Sequence, residues 1–219
     1  MPSVNKTLPN SDTRKDETRS RLIEAAMRQF GQHGFEATSL RAVVGDAKQN
    51  ISSVKYHFGS KDGLFDACVR AAAQRLKAEG PGGIVTSETT NLSSLSPEQA
   101  RTMIRVVIDV ALRDALRPEL AHELRFLQRE IVIGGRGAGI FYDEVLRDHV
   151  AFFAKLFSIA EALNEEEARL RALAIMMQTV LFLSAGPVIE TGIGWRITPE
   201  RIPELVDALY PETKTDSSS

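Results

Sequence analysis

Cysteine is all but missing: Cys68 is the only one in 219 residues. The chain cannot close a disulfide on itself or build a thiolate metal cluster, which fits a reducing compartment. Long apolar runs are missing as well. The best candidate, Ala172 to Pro187, is broken by Gln178, Thr179 and Ser184, short of the roughly 18 consecutive apolar residues of a membrane span. The opening stretch MPSVNKTLPNSDTRKDETR lacks the apolar core of a signal peptide. Together these absences point to a cytoplasmic protein with no membrane partner. Catalytic signatures are absent too: there is no Gly-x-Ser-x-Gly, His-Glu-x-x-His, Cys-x-x-Cys or P-loop lysine pattern. The histidines at 33, 57, 122 and 149 form no spaced ligand set. No catalytic residue, cofactor or metal is expected. Gly134-Gly135-Arg136-Gly137-Ala138-Gly139 looks like a phosphate loop, but it follows a helical pattern and lacks the Lys-Ser/Thr that would hold a nucleotide, so it reads as a flexible hinge.

What is present is helical periodicity nearly everywhere, with no alternating strand pattern, which predicts an all-α fold. Leu22, Ile23, Ala26, Met27 and Phe30 make one apolar stripe on a first helix at about 14–33, ended by Gly34. Thr38 sits where a cap belongs for a short second helix carrying Leu40, Val43 and Val44. A third short helix at about 50–58 is broken by Gly59-Ser60, and Ser60 caps a fourth running to about Glu79. The segment from Gly80 to Ser96, rich in Gly, Ser, Thr and Pro, reads as a mobile connection. Later helices are placed at about 97–114, 117–133, 139–161, 165–190 and 199–209, with strong starts at Ser96-Pro97-Glu98-Gln99 and at Asn164 followed by three glutamates. The organisation expected is a disordered arm at 1–13, a head at 14–60, a helical body at 61–211 and a disordered tail at 212–219.

Two short helices held by a longer first one make a helix-turn-helix, whose second helix suits the DNA major groove. Ile51, Val54 and Phe58, at i, i+3 and i+7, anchor that third helix to the core in this reading. The opposite side then exposes Asn50, Ser52, Ser53, Lys55, Tyr56 and His57, with Lys61 a short turn later. Charge agrees in sign: residues 1–63 carry 10 Lys and Arg against 7 Asp and Glu, whereas the whole chain has a net charge of −2.

At these residues the sequence resembles the TetR/AcrR family of bacterial regulators. The matching text is Thr38-Ser39-Leu40-Arg41, then the run from Asn50 to Phe65 containing Tyr-His-Phe-Gly-Ser-Lys, preceded by Ile23-Glu24-Ala25-Ala26, Phe30, Gly34 and Phe35. The resemblance covers about 19–66. It implies that Thr38, Tyr56, His57 and Lys61 contact phosphates while Asn50, Ser52, Ser53 and Lys55 face the bases. The sequence departs from the family at the turn, where Ala47-Lys48-Gln49 replaces Ala-Gly and an apolar residue. Lysine there costs on the order of 1 kcal/mol if the backbone is left-handed. Arg125 to Glu130, Gln178 to Phe182 and Gly186-Pro187-Val188-Ile189 make the C-terminal half similar to the CecR-type branch of the family, which implies control of export or stress genes in response to small toxic compounds.

A regulator of this kind needs a second copy, because one helix reads only a half-site. Leu170, Leu173, Met177, Val180, Leu181 and Ser184 trace the expected homodimer stripe. An apolar or amphipathic effector is expected among Met103, Val107, Phe126, Phe152, Phe153 and Met176, with His122 and Arg129 as polar contributors. The resemblance favours a repressor released from a pseudo-palindromic operator by that effector. The alternative is a dimeric DNA-binding protein with no effector at all.

Overall fold

The computed structural model describes residues 11–79, 92–133 and 135–212. Among the described residues the chain forms nine helices and no strand: α1 (Ser11–His33), α2 (Leu40–Asp46), α3 (Ile51–Phe58), α4 (Lys61–Glu79), α5 (Pro97–Ala115), α6 (Ala121–Ile133), α7 (138–161), α8 (Glu165–Ile193) and α9 (Ile202–Leu209). Within α7 the segments Ala138–Phe141 and Arg147–Glu161 are joined by a π turn at Tyr142–Leu146. The fold is all-α, as periodicity predicts. Residues 11–13, expected in a disordered arm, belong to α1. The rest of that arm, the tail from 213 on and residues 80–91 of the expected linker lie outside the described residues.

The helices start where short polar side chains catch free backbone N–H groups. Asn50 Oδ1 accepts from Ser53 N at 2.9 Å, and Ser60 Oγ accepts from Gly63 N at 3.0 Å. Ser96 with Gln99, and Asn164 with Glu167, form reciprocal capping boxes for α5 and α8. The cap of α2 is Ser39, whose Oγ accepts from Ala42 N, and not Thr38.

Two apolar cores form. The first joins α1–α4 through Leu22, Phe30, Val43, Val54, Leu64 and Phe65, and takes in Phe126 and Leu127 of α6 and Phe141 and Val145 of α7. The second packs α5, α7, α8 and α9 around Ile104, Leu112, Leu156, Phe157, Ile175 and Leu205. The head core therefore runs past residue 60, because α4 and α6 close it from below.

By length and composition α8 passes as a membrane span. One side of it packs within the protein. Ala168, Ala172, Ile175 and Thr179 are buried against the second core, while Leu170, Ala174, Met177, Leu181, Ser184 and Val188 form one exposed stripe on the opposite side.

His149 sits in α7 just after the π turn, buried, with Nδ1 2.8 Å from the Val145 carbonyl. A carbonyl only accepts, so Nδ1 carries the proton. Burial pushes the pKa of His149 below its ordinary value, against smaller upward pulls from that hydrogen bond and from Asp148. The unfolded chain thus binds a proton near pH 6.5 that the folded chain refuses, and stability is lost as pH falls below about 6.5. The melting temperature is expected to drop between pH 7.5 and 5.5, and less so in His149→Gln. Parallel melting curves for the two proteins would show this component to be absent.

Candidate nucleic-acid interface

The turn between α2 and α3 keeps a left-handed residue where the sequence supplies lysine: Lys48 has φ +52°. The Gln49 N–H donates to the Val44 carbonyl at 2.8 Å, and buried Ala47 fills the bend. The exposed Lys48 side chain adds a cation beside α3.

α3 is held by Val54, which is buried, and by half-buried Phe58, over whose ring the Arg19 guanidinium lies at 5.6 Å. Ile51 does not anchor the helix as its spacing suggests; it is 47% exposed. The outer face presents Asn50, Ile51, Ser52, Lys55 and Tyr56, with Ser53 and His57 half-exposed at its margins. Tyr56 is 70% exposed, and the His57 ring meets it edge-on at 4.9 Å. Asn50 Oδ1 is committed to capping Ser53. Its amide NH₂ is the group it can offer to a base.

Thr38 has to be withdrawn from the phosphate contacts. It is 3% exposed, and its hydroxyl donates to the Gly34 carbonyl at 2.7 Å, with the Gln29 carbonyl 3.1 Å away. It braces the end of α1. Its neighbour Ser39 is exposed at the start of α2 and is the residue the sequence reading missed. Two adjacent cap-competent hydroxyls made the choice ambiguous.

Lys61 lies beside this face, but its ammonium rests 4.3 Å from the Phe35 ring centroid and within 3.5 Å of the Glu36 carbonyl. The other cation on that ring comes from below. The Arg136 guanidinium is 4.7 Å from the Phe35 centroid and pairs with Asp62 at 2.5 Å. Gly137 is seated against α4, where an added Cβ would stand 2.7 Å from Val69 Cγ2. The described part of the glycine-rich stretch is thus tied to the head, contrary to its expected role as a loose hinge.

The proposed effector set disperses. Phe126 is fully buried in an aromatic cluster with Phe30 and Phe65, at 6.4 and 5.4 Å. Arg129 donates to the His33 carbonyl and lies against Gly34, whose φ is +83°. Both belong to the joint between head and body, not to a pocket. His122 is exposed. Phe153 is buried in the second core, with Phe152 and Met176 packed half-buried against it. Met103 and Val107 alone share a cleft, about 520 Å³ in volume, which Leu95 and Val106 also line.

A head of three helices with an open polar third helix is what the family described as bacterial regulatory proteins, tetR family, matches over residues 22–68. The head of the chain thus resembles the tetR family. It is 24% identical over 205 residues to the HTH-type transcriptional dual regulator CecR of Shigella flexneri, covering 91% of this chain and 90% of that one. Two solved structures share the fold. A TetR-like transcriptional regulator from Rhodococcus sp. RHA1 has a TM-score of 0.64 at 19% identity, over 93% of this chain and 96% of the other. AibR, solved in complex with isovaleryl coenzyme A and operator DNA, has a TM-score of 0.62 at 16% identity, over 89% and 98%. The matched family and the relative over most of the chain are DNA-binding transcription regulators, not enzymes, and the open polar face of α3 agrees with that role.

Proposed function

We propose that two copies pair through the exposed stripe of α8 and present two α3 helices to successive major grooves of a pseudo-palindromic operator, repressing transcription in the cytoplasm until a small apolar or amphipathic effector releases them. The observation that carries this reading is the outer face of α3: Ser52, Lys55 and Tyr56 stand open on a helix whose other side is pinned by Val54. Major-groove edges offer donors and acceptors that such side chains match. Tyr56, His57 and Lys61 serve the phosphates, and Asn50, Ser52, Ser53 and Lys55 the bases. The direct test selects bound fragments from the organism's own genomic DNA. A pseudo-palindrome is expected, and indifference to every duplex at low salt would end the reading.

Lys61 gives a sharper check. In the complex its ammonium leaves the Phe35 ring for a phosphate, so Lys61→Ala weakens binding to specific and unrelated duplexes alike. The slope of log K against log salt is expected to flatten by about two units per dimer, one for each head. An unchanged slope in fluorescence-anisotropy titrations would remove Lys61 from the interface.

For the effector, the cleft beside Met103 and Val107 supports binding of an apolar molecule. An effector-free regulator is the second reading, favoured by the packing of Phe152, Phe153 and Met176 into the second core and not around the cleft at Met103 and Val107. A panel of apolar compounds separates the two: an effector raises the melting temperature and releases operator DNA in the same concentration range.

A further inference from the structure

Ile51 is the first residue of α3 and is left 47% exposed. Packing within its own head does not account for it, since Val54 and Phe58 already hold the helix. A β-branched side chain is also a mediocre helix former. Its neighbours on the surface are Ser52, Lys55 and Tyr56, all exposed. Positions 51 and 55, and 52 and 56, are i,i+4 pairs, so these four side chains form one face. That face carries a hydroxyl, an ammonium, a phenol and one branched hydrocarbon. The hydrocarbon sits in the first turn, the part of a groove-reading helix that comes closest to base edges.

Resting on the reading that α3 enters the major groove, we propose that Ile51 is a specificity residue whose side chain covers the 5-methyl group of a thymine in each half-site. Thymine is the only one of the four bases that shows an apolar group in the major groove. Against cytosine, adenine or guanine the same side chain would strip water from a hydrogen-bonding edge and return nothing. Tyr56, His57 and Lys61 hold the helix in register through the phosphates, so the methyl contact discriminates between sequences without supplying the bulk of the affinity.

The test removes the methyl group alone. Duplexes selected from a random library by the full-length protein are resynthesised with deoxyuridine replacing thymine, one symmetric pair of positions at a time. At one such pair the wild-type protein is expected to lose about fourfold in affinity per half-site, or about fifteenfold over both. Ile51→Ala is expected to be insensitive to uracil there while keeping the wild-type salt slope, and Ile51→Val to retain the sensitivity. The site is exposed, and a melting curve confirms that each variant is folded. A selected duplex that tolerates uracil at every thymine, or an Ile51→Ala protein as sensitive as wild type, overturns the assignment of Ile51 alone. Failure of the wild-type protein to select any duplex overturns groove reading by α3, and the thymine contact with it.

Discussion

Leu181→Arg is expected to convert the dimer to a monomer and to lower operator affinity by about a hundredfold or more. The reason lies in the spacing on α8. The exposed positions 170, 174, 177, 181, 184 and 188 alternate steps of four and three, the seam of helices that pair at a shallow angle. Each full burial of Leu170, Met177, Leu181 or Val188 against a partner contributes about 1.5–3 kcal/mol, enough in sum to hold two chains. A two-fold pair through this stripe buries position 181 of both copies, so one substitution places two desolvated cations in an apolar seam. Loss of pairing leaves each head with a half-site and forfeits the avidity of the linked pair, a factor of about 10² to 10⁴. The monomer itself should remain folded, because Leu181 is 63% exposed within its own chain. Sedimentation equilibrium and operator titration read the two effects separately. A variant that stays dimeric would show that the chains pair elsewhere.

Four of the six residues expected in this stripe, Leu170, Met177, Leu181 and Ser184, do lie on the exposed face. Leu173 and Val180 turn to the flank and are half-buried there, and Ala174 and Val188 take their places on the exposed face. A helix apolar on nearly every side gives no sequence signal for which apolar residue faces its own core. Three of its four buried residues, Ala168, Ala172 and Thr179, are small, which suits the extensive packing of α8 on α7.

The same contrast runs through the chain. Three helix starts were legible because a cap is local chemistry: Ser60, Ser96 and Asn164 all bond the backbone three residues on. The left-handed residue at Lys48 and the end of α1 at Gly34, with φ +52° and +83°, were legible for the same reason. The outer face of α3 followed from its period, except at Ile51, where an apolar residue was read as a buried one. The pocket was not legible. Phenylalanines in a helical body belong to a core or to a cavity depending on what approaches from other helices, and periodicity carries no record of that. Arg129 and Arg136 were misread for the converse reason: they reach Gly34 and Phe35, about a hundred residues away in the chain.

Phe126 is where that long-range packing has its largest consequence for stability. Its ring is fully buried, 5.4 Å from Phe65 and 6.4 Å from Phe30, while Phe35 closes the group at 5.1 Å from Phe65. The backbone of Phe126 also touches α1, where a Cβ on Gly31 would lie 3.5 Å from its Cα. Truncation to alanine therefore empties a space bounded by α1, α4 and α6 that none of them can enter without moving the others. The expected cost is about 3–5 kcal/mol, a large part of the 5–15 kcal/mol typical of a folded domain, read as a shift of the urea midpoint at constant slope. A phenylalanine that lined a ligand cavity would behave differently: its removal would enlarge a space already present, at a cost nearer 1 kcal/mol, and would change effector binding first. Because Phe126 is the body's ring in the head's core, Phe126→Ala should also loosen the seat of the heads and lower operator affinity while the chains stay paired through α8. That combination, lost stability and lost DNA binding in an intact dimer, separates the joint from the seam.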